Sequence, residues 1–134
     1  MGKIVLLIDD DNLPMKFYIK ALEESGFTVK RFLGPDDVLD FMEKNAAEIG
    51  VVVLDIMMPP GKRYKDENTK EGLRTGVFLF KDIRRMYPNI PVIVLTNVKN
   101  PETLCEFPKD QLIQKMNCPP FTLVELVDKN IIGQ

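Results

Sequence analysis

Residues 4–8 are apolar throughout, and Ile4, Val5 and Ile8 are β-branched. That is the pattern of a short strand buried on both faces. Asp11 or Asn12 can cap a helix running through Ser25, with Phe17, Ile19 and Leu22 on its apolar face and Gly26 as its stop. Residues 27–32 form a second strand candidate. Gly34, Pro35, Asp36 and Asp37 have the chemistry of a helix start, since proline suits a first turn and acids complement the positive dipole end. Val38, Leu39, Phe41 and Met42 would supply its buried stripe.

The alternation continues. Residues 51–54 predict a third strand that ends at Asp55, and Pro59 and Pro60 then break regular structure. A helix resumes near Thr75 and Gly76 and leads to Pro88. Residues 91–95 predict a fourth strand ending at Thr96. A short helix can begin at Asn100 and Pro101, but Pro108 ends it within about two turns. Residues 111–114 make a weaker fifth strand ending at Lys115, and Thr122 can cap a last helix carrying Leu123, Leu126, Val127 and Ile131. Five strand–helix units with no run of consecutive strands predict an α/β fold, a doubly wound five-stranded parallel sheet with helices on both faces.

Ligands of such sheets sit beyond the carboxyl ends of the strands. The residues at those ends are Asp9, Asp10, Asp55, Thr96 and Lys115. Each has a plain structural reading when taken singly: three aspartates begin a helix, a threonine ends a strand, a lysine is solvated. Together they carry chemistry. Clustered carboxylates need an offsetting cation, and a hard ion with oxygen ligands such as Mg²⁺ is the natural one. A carboxylate can also act as a nucleophile and become an aspartyl phosphate. Phosphoryl transfer then needs charge neutralisation, which an acidic metal-binding pair, an ammonium and a hydroxyl supply.

Composition narrows the field further. The chain has 134 residues, 45% hydrophobic and 28% charged, with a net charge of −2. That is one domain, 1–134, with no overall basic field to bind nucleic acid. Cys105 and Cys118 form no CxxC pair, and the sequence contains no histidine, so a disulfide framework or structural zinc is not expected and a reducing cytoplasm is. The apolar run at 4–8 is too short for a membrane span and lacks a signal-peptide cleavage site. Without histidine there is no histidine nucleophile, base or phosphodonor.

The stretches Ile8 to Asn12, Val53 to Pro59 and Val92 to Thr96, then Lys115 with the later Pro120 and Phe121, resemble receiver domains of two-component response regulators. The LDIMMP run at 54–59 is the most specific part. The resemblance implies the sheet order 2-1-3-4-5. It makes Asp55 the phosphoacceptor, fed by a histidine kinase or a histidine phosphotransfer protein, with a downstream protein as output. It implies Mg²⁺ bound directly by Asp10, Asp55 and the Met57 carbonyl, with Asp9 acting largely through water. Thr96 and Lys115 would contact the phosphoryl group. Such a domain catalyses only its own phosphorylation and dephosphorylation and is no enzyme toward other substrates.

Three features depart from that family. Residues 61–74 lengthen the connection after the phosphoacceptor, with Lys62, Arg63, Lys65, Lys70 and Arg74 outnumbering Asp66, Glu67 and Glu71. Their composition predicts a solvated or disordered loop; the alternative is a lid or docking element. Met116, Asn117 and Cys118 intervene between Lys115 and the prolines, so a cis bond after the lysine would cost about 2.5–4 kcal/mol. Leu112 stands where an aromatic is common. These departures leave a second function open, a receiver-like interaction module independent of phosphorylation. A phosphatase with an aspartate nucleophile is disfavoured, because Met57 occupies the place of its acid/base aspartate.

Overall fold

The computed structural model describes residues 4–97 and 107–131. Strands β1 (Ile4–Ile8), β2 (Thr28–Phe32), β3 (Ile49–Leu54), β4 (Val92–Thr96) and β5 (Leu112–Gln114) form one parallel sheet in the order β2-β1-β3-β4-β5. Helices α1 (Asn12–Glu24), α2 (Val38–Asn45), α3 (Thr75–Met86) and α4 (Pro120–Asn130) connect or follow the strands. The short helix expected from Asn100 lies outside the described residues. Among the described residues no helix is long and apolar enough to cross a membrane.

The uniformly apolar strands divide by parity, because successive side chains point to opposite faces. Leu6, Ile8, Val52, Leu54, Val92 and Val94 join one core with Val38 and Met42 of α2 and Val77, Leu79 and Ile83 of α3. Val5, Leu7, Val51, Val53, Ile93 and Leu95 join the other with Met15, Tyr18 and Leu22 of α1 and Leu123 and Val127 of α4. Both faces are therefore covered, which is why these strands do not alternate with polar residues. The third strand begins two residues before the expected run. Its register against β1 shifts between Ile4 and Val5, so that Ile4 faces Ile49 and Val5 faces Val51.

Two predicted helix starts move. Asp37 takes a left-handed conformation (φ 69°), and α2 begins only at Val38. The Asp36 carboxylate instead accepts the Lys62 and Arg63 N–H groups at 2.9 and 3.0 Å, so these acids organise a neighbouring turn. The last helix starts at Pro120 with Pro119 in the cap position, two residues ahead of Thr122. Asp11 does occupy the cap position of α1, but its side chain makes no capping hydrogen bond.

Residues 61–74 depart from the expected loose loop. They fold as consecutive turns. Their charged side chains are largely exposed, yet Tyr64 is buried in the α2–α3 core and Thr69 is buried as well. The Tyr64 hydroxyl donates to Asp82 Oδ2 of α3, which also pairs with Arg63 at 3.3 Å. One aromatic anchor thus ties a polar segment to the domain, while the buried Thr69 hydroxyl accepts the Gly72 N–H within the segment itself.

Candidate functional site

Register places the acids side by side. Ile8 pairs with Leu54, and the Asp55 N–H donates to the Ile8 carbonyl at 2.9 Å. The next residues on the two strands, Asp9 and Asp55, therefore leave the sheet edge together. Both are buried, at 2% and 4% exposure. Asp10 follows and is exposed. Carboxylate oxygens of Asp9, Asp10 and Asp55 lie within 4.8 Å of one another. Thr96 pairs with Gln114 at the far end of β4 and is fully buried. Lys115 emerges directly after β5 and reaches both buried acids, with Nζ 2.7 Å from Asp9 Oδ2 and 3.4 Å from Asp55 Oδ2.

Backbone groups orient the acids. Asp55 Oδ1 accepts the Ile56 and Met57 N–H groups at 2.8 and 3.4 Å, and Asp9 Oδ1 accepts the Asp11 N–H at 2.9 Å. Burial, and then the neighbouring Asp9 charge, push Asp55 up to about 7 despite Lys115 and the Ile56 N–H. Burial likewise raises Asp9, although its bond to Lys115 opposes the shift. For Lys115, burial favours the neutral amine, but Asp9 and Asp55 outweigh it and raise the group above its usual value. The cluster is thus three carboxylates facing one ammonium, short of positive charge. A hard-oxygen donor set with that deficit fits Mg²⁺.

Several supports were not visible as sequence motifs. Arg31 donates to the Asp9 carbonyl through Nε and Nη2 at 3.3 and 3.0 Å. The Tyr18 hydroxyl donates to the Cys118 carbonyl at 2.7 Å and ties α1 to the loop carrying Lys115. Gly76, the second residue of α3, donates its N–H to the Ile56 carbonyl at 2.8 Å. A Cβ there would lie 2.3 Å from the Asp55 carbonyl oxygen, so only glycine lets the helix start against the Asp55 backbone. Its place in the second helical position was the available signal.

The loop after Lys115 takes a trans path. No cis peptide occurs among the described residues, and Lys115–Asn117 instead turn through a single 3₁₀ helix. Leu112 is half-buried against the α2–α3 core.

The sequence profile described as "Response regulator receiver domain" matches residues 5–114. The chain belongs to that family. It is similar to the BeF3-activated DrrB receiver domain, with 26% identity and a TM-score of 0.71 over 96% of this chain and 97% of that one. A CheY-like receiver domain protein from Methanospirillum hungatei JF-1 shares the fold, with 20% identity and a TM-score of 0.73 over 96% and 93% of the two chains. Among curated proteins, the Sensor kinase CckA of Brucella abortus (strain 2308) is 25% identical over 122 residues, covering 91% of this chain. The receiver chain spans only 11% of that kinase's length. Receiver domains of this family bind Mg²⁺ at an acidic pocket, and the three aspartates form one here.

Proposed function

We propose that this receiver takes a phosphoryl group onto Asp55, in a Mg²⁺-dependent reaction, from a histidine kinase or a histidine phosphotransfer protein in the cytoplasm. Phosphorylation then changes its binding to a downstream protein. The observation that carries this reading is the buried Asp55 carboxylate, 3.4 Å from Lys115 and within 4.8 Å of the Asp9 and Asp10 carboxylates.

An Asp55 oxygen attacks phosphorus, and the bond from phosphorus to the donor breaks with its electron pair leaving on the donor. The Ile56 and Met57 N–H groups hold the carboxylate in one orientation for that attack. Asp9, Asp10, Asp55 and the Met57 carbonyl would hold Mg²⁺, which supplies positive charge to offset the phosphoryl oxygens. Lys115, beside Asp9 and Asp55, would add a point charge, and the Thr96 hydroxyl would offer a hydrogen bond. Catalysis is confined to the chain's own phosphorylation and dephosphorylation.

Leu112 favours a second reading, a module that binds partners without phosphorylation, because no aromatic occupies that β5 position. Labelling with acetyl phosphate separates the two. Wild type should incorporate phosphoryl only with Mg²⁺, and Asp55→Asn should lose the label; label persisting in the variant would refute Asp55 as acceptor.

A further inference from the structure

The 61–74 segment folds back onto the loop that follows Asp55 by a defined set of bonds. Thr69 accepts the Gly72 N–H on Oγ1 at 3.2 Å and the Arg74 N–H on its carbonyl at 2.8 Å. Between them Lys70 and Glu71 are left-handed, at φ 55° and 58°. Such conformations cost about 1–2 kcal/mol per residue with a Cβ, so the surrounding bonds must hold them. Gly72, at φ 92°, completes the turn, and its carbonyl accepts the Met58 N–H at 3.1 Å. A Cβ on Gly72 would stand 2.9 Å from the Met58 carbonyl oxygen. Glu71 is therefore pinned to the same loop that carries Asp55 and Met57.

Beside that contact lies a cavity of about 410 Å³ whose lining includes Asp10, Met57, Glu71 and Leu73. The neighbouring cations Lys70 and Arg74 do not line it. Leu73 stays 58% exposed at the rim.

We propose that Glu71 is a specificity-determining residue of the phosphorylation site. Its carboxylate favours a divalent cation at the mouth and holds off free dianionic phosphoryl donors. A protein-borne donor gains contact energy beyond the phosphoryl group and overcomes that repulsion, so the site selects protein-borne over small-molecule donors. This inference rests on the assignment of Asp55 as phosphoacceptor. For one charge about 7–8 Å from a dianion or a dication, screened Coulomb interaction in water changes a rate or affinity about fourfold at low ionic strength and about twofold at physiological ionic strength.

The test uses the whole chain as wild type, Glu71→Gln and Glu67→Gln. Glu67 belongs to the same segment but lines a different cleft with Arg63 and Asp82, so its removal changes net charge equally. Labelling by acetyl phosphate at saturating Mg²⁺ is one readout; Mn²⁺ affinity without any donor, from the free-ion electron paramagnetic signal, is the other. Glu71→Gln should speed labelling and weaken Mn²⁺ by those factors, both effects shrinking with added salt, while Glu67→Gln changes neither. Unchanged Mn²⁺ affinity in Glu71→Gln, unchanged labelling in it, or equal effects from Glu67→Gln would overturn the proposal. Label taken by Glu71→Gln but not by wild type would support both the phosphoacceptor assignment and the donor selection; if neither takes label the phosphoacceptor assignment fails, and the Mn²⁺ titration alone then decides whether Glu71 acts on the site.

Discussion

Replacing Asp55 by asparagine should remove most of a pH dependence of stability that this fold carries in the absence of metal. Burial and the Asp9 charge raise Asp55 from 3.8 to about 7 in the folded chain. The native state therefore binds more protons than the unfolded state between those values, and stability falls as pH rises through that interval. Below about pH 4 both states hold the proton and the group is neutral in its effect; above about pH 7 the loss is complete. At about 1.4 kcal/mol per pH unit, with flattening near the folded value, the loss between about pH 5 and pH 8 amounts to about 2–3 kcal/mol.

The sequence makes this window unusually clean, because it contains no histidine to titrate there. Asp9 is also raised and interacts with Asp55, so the difference between the two profiles reports Asp55 together with its effect on Asp9. Urea unfolding followed by far-ultraviolet circular dichroism, in EDTA across that range, gives the two profiles. Wild type should lose about 2–3 kcal/mol relative to Asp55→Asn, and excess Mg²⁺ should recover much of that loss. Superimposable profiles for the two proteins would refute the reasoning.

Lys115→Met strands the buried Asp9 and Asp55 carboxylates, and breaking a buried pair of this kind costs about 3–5 kcal/mol. Urea midpoints in EDTA should show the loss near pH 8 and a smaller one near pH 5, where the acids take up protons. Gly76→Ala should destabilise by about 1–3 kcal/mol through overpacking on the Asp55 carbonyl, although glycine to alanine within a helix ordinarily stabilises. A thermal melt showing stabilisation would contradict that geometry.

The sheet was legible because its strands are buried on both faces and so stay apolar at every position. The strand ends then located Asp9, Asp10, Asp55, Thr96 and Lys115 without reference to contacts. Residues 61–74 were not legible in the same way. Charge density reports where most of their side chains go, which is into water, but their placement depends on Tyr64, Thr69 and Gly72, three residues without a periodic pattern. The start of α2 was misplaced for a related reason. Proline and two acids signal a helix end only if their side chains serve that helix, and Asp36 serves the 62–63 turn instead. Gly76 shows the same limit, since a close approach between a helix start and a distant strand end leaves no local trace beyond the glycine.

The protein's own charges at this site thus oppose its stability. Lys115 sits closer to Asp9 than to Asp55, so Asp55 is the less fully neutralised of the two buried acids. Burial that costs stability there also brings the Asp55 carboxyl near neutrality and strips water from it. A carboxylate so placed favours whatever adds positive charge nearby, and a divalent cation does so without consuming the acid. The destabilisation and the chemistry have one cause: the adjacent strand ends force two carboxylates into the same low-dielectric corner, and the fold tolerates it because the parallel core beneath them is fully apolar.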